Sequence, residues 1–432
     1  MAGRMRTLAL ACTMTLALVG CGDDGDGAVV DDAGPDAATA VDAAVLAVDA
    51  GAPDAPTCNP AAPVGRFLSR ADNPRLRAGR RFSDGLLDVT IADPDVHWDA
   101  GAGAFRAYFM AARGATFAGP LVQSIRRMDS SDGASWTLAE TPALVASSDA
   151  AAWDHANTET PTVVLNPDAP PARRYLMMYS GASAALPGKS FPAYAIGAAF
   201  SADGVTFTRV SASESPHGKA GLVLTGAQIY PAAAGAVVAD PELVYRDGRY
   251  HLWFSSFACR AASAPCDTVT AFGIGHATSL DGVTWTAAGQ NPIPSLLREP
   301  GTPATGGQQP SVVWDARRCR YELWLTSDLA GENDNQPIEF NNMVGVFRAS
   351  SADGVAWQLD YSGARDLTWN PGAPGQPLGL LTGADVAARG DQRMMLYVGF
   401  DDQSIPPDFY LPDRTALGFR PGVMALEVAT RD

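Results

Sequence analysis

Acidic residues stand beside proline in a motif that recurs along this chain of 432 residues. Asp93-Pro-Asp-Val96 and Asp240-Pro-Glu-Leu243 carry them inside it, and Thr160-Pro-Thr-Val163 is preceded directly by Glu159. Two further copies, Gln309-Pro-Ser-Val312 and the degenerate Gly383-Ala-Asp-Val386, complete a set of five. Carboxylates gathered at one point repel, so one is pushed to hold a proton near neutral pH while its neighbour stays ionised. Such a set does general acid, general base or nucleophilic work, provided the fold brings together residues that lie far apart in sequence. Asp93, Glu159 and Asp240 are the candidate catalytic residues. Asp95 and Glu242, from the same motifs, join Trp153 and His155 as candidate substrate-binding residues, since an indole face stacks on a ring and an imidazole bonds to hydroxyls.

The elements that must position these residues are marked by a second repeat. Ser130-Ser-Asp-Gly-Ala-Ser-Trp136, Ser201-Ala-Asp-Gly-Val-Thr-Phe207, Ser279-Leu-Asp-Gly-Val-Thr-Trp285 and Ser351-Ala-Asp-Gly-Val-Ala-Trp357 place their aspartates 71, 78 and 72 residues apart. That period is too long for a solenoid turn and suits a four-stranded propeller blade. In the third unit, Leu243–Tyr245 and Tyr250–Phe254 flank the turn Asp247-Gly248, and Gly273–Ser279 and Val283–Trp285 flank Asp281-Gly282, which reads as one antiparallel sheet. The Asp-Gly pairs read as two-residue turns in which both positions take positive φ. Proline is tolerated at the first residue of a strand, so each Pro motif reads as a strand start. Five starts predict an all-β fold, a five-bladed β-propeller of four-stranded antiparallel blades over residues 61–432. A segment within residues 64–90 is expected to supply the outer strand of the last blade. Innermost strands line the axis of a propeller, which is where the acids would meet.

The chain ends add a location. Arg4 and Arg6, the apolar stretch from Leu8 to Val19, and Leu18-Val-Gly-Cys21 read as a lipoprotein signal peptide over residues 1–20, with Cys21 as the lipidated residue. Residues 21–60 hold nine Asp and no Lys or Arg among Ala, Gly, Pro and Val, and read as a disordered tether. The expectation is an exported lipoprotein of the outer membrane or periplasm-facing cell envelope, a monomer that touches the membrane only through its lipid. Without leader and tether the chain keeps 38 acids against 29 bases and no basic stripe, which argues against nucleic acid. Cys259 and Cys266 bracket a short loop and are expected to pair; Cys58 and Cys319 would then tie the end of the tether to the body. No cofactor is expected. A Ca2+ ion held by carboxylates and water in the channel stays open as an alternative.

The Pro motifs, the Ser-x-Asp-Gly hairpins and strands such as Tyr321-Glu-Leu-Trp-Leu325 together resemble the arabinanase, levansucrase and invertase superfamily, which includes glycoside hydrolase families 43, 32, 62 and 68. The likeness covers most of the chain after residue 85. It implies a five-bladed propeller and carbohydrate as the partner. In family 43 an Asp before Pro in the first blade is the general base, a second-blade Asp before Pro tunes pKa, and a third-blade Glu is the general acid. Asp93 matches the first position, Asp240-Pro241 resembles the second pattern and Glu159-Thr-Pro161 the third, so the order along this chain is Asp, Glu, Asp. The resemblance implies a glycosidase acting on a furanoside or a plant or microbial polysaccharide. The alternative is a non-catalytic surface propeller that binds glycan or protein.

Overall fold

The computed structural model describes residues 58–431 apart from 61, 63–66, 71–72, 78–79, 116–120, 184–192, 234, 260–268, 298–306, 327–344, 360–366, 369–380 and 401–423. The signal peptide, Cys21, nearly all of the tether and the Cys259–Cys266 pairing lie outside the described residues. Within them the chain is all-β: the helical content is one turn, Gly226–Ile229, and two 3-10 turns, Pro171–Arg173 and Pro294–Leu296. Among the described residues no helix is long and apolar enough to cross a membrane.

The strands form antiparallel sheets in a propeller arrangement. The first sheet runs Leu87–Asp99, Ala104–Gly114, Val122–Ser130, Thr137–Leu138, and the second Asn157–Leu165, Tyr175–Ala182, Ala195–Ser201, Thr208–Arg209. The third runs Gly235–Arg246, Arg249–Cys259, Val269–Ser279, Thr286–Ala287, and the fourth Gln308–Asp315, Arg320–Thr326, Gly345–Ser351, Trp357–Leu359. A further sheet holds Leu381–Arg389, Gln392–Phe400 and Met424–Arg431. Its outer strand comes from the other end of the chain: Leu68–Ser69 and Leu76–Arg77 both pair with Met424–Arg431. The opening strands of the sheets pack against one another in cyclic order, and Leu381–Arg389 returns to Leu87–Asp99.

Alternation along each second strand explains how the sheets adhere. In Tyr175–Ala182 every residue is buried, because a strand between two neighbours has no solvent face. Leu176 and Met178 point into a core shared with Leu252 and Phe254 of the third sheet, whereas Met177 and Tyr179 join Tyr108 and Ile125 of the first. The same division puts Trp253 with Leu323, Trp324 with Met395 and Tyr397, and Phe109 with Leu396. Each such buried side chain is worth ~1.5–3 kcal/mol.

The Ser-x-Asp-Gly hairpins differ from the sequence reading. Gly133, Gly204, Gly282 and Gly354 have φ of 73°, 72°, 74° and 75°, but their aspartates do not share the left-handed region. A serine two residues before each aspartate organises the loop. Ser130 Oγ accepts the Gly133 N–H (2.8 Å) and donates to Asp132 Oδ1 (3.0 Å), which also accepts the Ala134 and Ser135 N–H groups (both 2.8 Å). The aspartate is an acceptor that stitches the loop rather than a turn residue bent to positive φ. Among the described Asp-Gly pairs, only Asp247-Gly248, which has no such serine, places both residues at positive φ, 52° and 73°. Each hairpin then docks on the preceding sheet: Tyr108 Oη donates to Gly204 O (2.7 Å) and Trp253 Nε1 to Gly354 O (3.0 Å).

The Pro motifs are a second correction. Each lies within its opening strand at a bulge, well inside the first three strands and near the start of the last two: register shifts fall between Ala92 and Asp95, Glu159 and Thr162, Ala239 and Glu242, Gln308 and Ser311, and Thr382 and Asp385. At these bulges Asp93, Thr160, Asp240, Gln309 and Gly383 take φ of 50°, 45°, 47°, 51° and 56°. A bulge leaves one residue unpaired, so the missing N–H of the following proline costs no ladder bond there either. Cys58 and Cys319 are disulfide-bonded, with Cα atoms 5.4 Å apart, and the Asn59 N–H donates to Arg317 O (2.9 Å). The body's first described residues are thereby fastened to the turn of the fourth sheet.

Candidate active site

The bulges create two tiers of side chains along the opening strands. Two residues past each left-handed position stand Asp95, Thr162, Glu242, Ser311 and Asp385, and these form a belt. Glu242 Oε1 accepts the Val312 N–H (2.8 Å), Thr162 Oγ1 the Leu243 N–H (3.2 Å), Ser311 Oγ the Val386 N–H (3.0 Å) and Asp385 Oδ2 the Val96 N–H (2.5 Å). The Val163 N–H bonds to Asp95 in the same way. Each acceptor thus takes the N–H of the next sheet, and the last returns to the first. Asp95 and Glu242, candidates for substrate contact, are occupied in holding the sheets together.

This lower tier is electrostatically loaded. Burial, then the charges of Asp385 and Asp95, push Glu242 well above the usual carboxylate range. Burial followed by the charge of Asp95 raises Asp385 to about 7, and burial raises Asp95 against the bonds it receives.

The upper tier holds Asp93, Thr160, Asp240, Gln309 and Gly383. Asp93 Oδ1 accepts a hydrogen bond from Gln309 Nε2 (3.3 Å), and its Oδ2 is buried without a hydrogen-bond partner. The Asp240 N–H donates to Ser180 Oγ (2.9 Å), and its carboxyl bonds with Ser255. Glu159 lies one position earlier, in the register of Ala92, Ala239 and Gln308, opposite Ser180. Exposure separates the three: Asp93 and Asp240 keep 7% and 8%, while Glu159 has 0%. Burial pushes Asp93 well above its ordinary value, and the charges of Glu159 and of Asp240 add to that push. Burial likewise raises Asp240 to about 6, against its bond with Ser255. A carboxyl on the first sheet therefore feels carboxyls from the second and third. The repulsion acts on Asp93, whereas at Asp240 burial alone raises the proton affinity; a carboxyl that holds its proton near neutral pH is suited to acid–base work.

The aromatic candidates have partners of their own. Trp153 belongs to the core between the first two sheets: its ring stacks on Tyr179 (centroids 5.9 Å apart) and its Nε1 donates to Ala220 O (2.8 Å). One face of that indole is covered by protein. His155 is exposed, with Nδ1 2.8 Å from Ser147 O. Among the described residues no group of three or more His, Cys, Asp or Glu is arranged to hold a metal ion. Sequence reasoning passed over Gln309, Gly383 and Asp385, although their register in the fourth and fifth copies of the motif marks them as equivalents of Asp93 and Asp95.

No family model matches the sequence, and no curated protein matches it either. Solved structures do. A glycoside hydrolase is similar over 86% of this chain and 92% of its own, with 13% identity and a TM-score of 0.53. In fold, the chain is like the propeller glycoside hydrolases. An N-acetylgalactosamine deacetylase from F. plautii, solved in complex with blood group B trisaccharide, is similar over 84% of this chain and 95% of its own (13% identity, TM-score 0.53). A BT0996 RGII complex is similar over 86% of this chain and 92% of its own (12% identity, TM-score 0.51).

Proposed function

We propose that the chain is an envelope-anchored glycoside hydrolase, a closed five-bladed propeller over residues 61–432 carried on the lipidated Cys21 by the tether of residues 21–60. Its substrate is a furanoside or a plant or microbial polysaccharide, and Asp93, Glu159 and Asp240 carry the reaction. The observation behind this reading is the electrostatic coupling of Asp93 to both other acids across three sheets. Likeness in fold to a glycoside hydrolase and to an N-acetylgalactosamine deacetylase solved with a bound trisaccharide supports carbohydrate as the partner.

Roles follow from the shared protons. In this reading Asp93, when ionised, acts as base and Glu159 is the acid; Glu159 has no exposed surface, so it reaches a departing oxygen only once the wall around it opens. The charge of Asp240 raises the proton affinity of Asp93, so the ionised base is favoured when Asp240 itself holds a proton. Near-complete burial of all three acids favours, as the second reading, a non-catalytic propeller that displays a glycan- or protein-binding face.

Turnover of arabinan, xylan, fructan and aryl furanosides by the purified protein decides between them, with Asp93→Asn as control. Hydrolysis of at least one, falling by about 10²–10⁴-fold in the variant, is the expected result. No release from any of them by correctly folded protein favours the binding propeller.

A further inference from the structure

We propose that Gln309 is the positioning residue of Asp93, holding its carboxylate in the working orientation across a gap that Gly383 leaves open. The inference rests on the hydrolytic reading above. Asp93 and Gln309 occupy equivalent bulge positions on the first and fourth sheets, and Gly383 holds that position on the sheet between them. Gly383 is the one member of the tier without a side chain. A Cβ there would lie 3.3 Å from Asp93 Oδ1, the oxygen that the Gln309 amide bonds, and 3.5 Å from Asp93 Cα, so it would crowd that contact.

The amide is fixed at both ends. Gln309 Nε2 donates to Asp93 Oδ1 (3.3 Å) and Gln309 Oε1 accepts the Gly383 N–H (2.9 Å). Reversing it would set an amide donor against a backbone donor and an amide oxygen against a carboxylate, so only one orientation is satisfied. The stem is anchored as well, because the Gln309 N–H donates to Ser255 Oγ (2.8 Å). With Oδ1 engaged, Asp93 Oδ2 is the oxygen left to take a proton at a defined place. The groups facing Asp93 from the other sheets are Glu159 and Asp240, both of which oppose its ionisation, so Gln309 supplies the donor that favours it.

The test follows the Asp93 carboxyl directly, by 13C spectroscopy of the purified protein labelled at aspartate Cγ, with the signal assigned through Asp93→Asn. In Gln309→Ala the Asp93 titration midpoint is expected to rise by about one pH unit or more, because a donor to the ionised form is lost. Gln309→Glu keeps an acceptor for the Gly383 N–H but adds a fourth acid, and should raise it further. Gly383→Ala, which crowds Asp93 Oδ1, should act like Gln309→Ala and serves where that variant does not fold. On a substrate found in the screen, Gln309→Ala should lower kcat by roughly 10–100-fold with KM little changed. An unmoved Asp93 midpoint in folded Gln309→Ala overturns the proposal even if sugar is hydrolysed. A moved midpoint without turnover of any sugar leaves the positioning contact standing and removes the hydrolase reading.

Discussion

At the rim of the sheets, four aspartates accept backbone N–H groups and serine hydroxyls; at the axis, aspartates from the same repeating units face other acids. The N–H groups of Ser135 and Ala134 hold Asp132 below the usual carboxylate range, and that of Val205 does so for Asp203. At Asp281 and Asp353 burial pushes upward, but the N–H groups of Thr284 and Val283, and of Ala356 and Val355, outweigh it. Asp93, Asp240, Glu242 and Asp385 all shift the other way because burial is large and the neighbours are anionic or too few. The lesson is that repetition of a residue says little about its work. Where N–H donors converge, Asp is a structural acceptor; where carboxyls converge, it becomes a proton-exchanging group that the fold must restrain.

This contrast predicts a stability curve with two limbs. An axial acid with a raised folded pKa binds protons more tightly when folded, so its stabilisation is complete below the ordinary carboxylate range and is lost as pH climbs through the folded values, about 6 for Asp240 and about 7 for Asp385. The rim aspartates, with lowered values, contribute above the ordinary range and lose their contribution as pH falls through it. Maximum thermal stability is therefore expected near pH 4–5, a range bounded by those two limbs. The shift at Asp240 alone corresponds to a loss on the order of 3 kcal/mol by alkaline pH. Melting temperature from pH 3 to 8 checks this, and Asp385→Asn should flatten the upper limb; a curve that rises steadily to pH 8 breaks the comparison.

A smaller effect sharpens the rim side. Ala at Gly204 would combine φ of 72° with collisions against the Arg106 and Tyr108 side chains of the preceding sheet. A destabilisation of about 2 kcal/mol is expected, read by urea unfolding. Asp203→Ala, which removes only the stitching acceptor, should cost about 1 kcal/mol. Neither should alter the Asp93 titration, and a change there would mean that rim and axis are not separate.

Much of this architecture was legible because it repeats. The hairpin period and the strand alternation gave the all-β propeller, and the lone Leu68–Ser69 and Leu76–Arg77 strands met an expectation that the last sheet borrows from the N-terminal side. The bulges were not legible: proline is compatible with a strand start and with a bulge alike, and only the pairing register distinguishes them. For the same reason Glu159 looked like a variant of the Asp-Pro pattern, whereas it stands one residue before the bulge position that Thr160 fills. Trp153 carried an aromatic signal with no indication that Tyr179 would cover it. Gln309 was visible as an acid-free copy of the motif, but its contact with Asp93 depends on an absent side chain at Gly383, 74 residues further along the chain, and on the closure that puts both beside the first sheet.

The central claim is that carboxyls from three sheets act on one another at the axis. The most direct measurement is the titration of the 13C-labelled Asp93 carboxyl in the wild-type protein, in Glu159→Gln and in Asp240→Asn. The account predicts a midpoint well above the ordinary Asp range that falls when either neighbour is neutralised. A wild-type midpoint near 4, roughly the ordinary Asp value, or one that neither substitution moves, would contradict it.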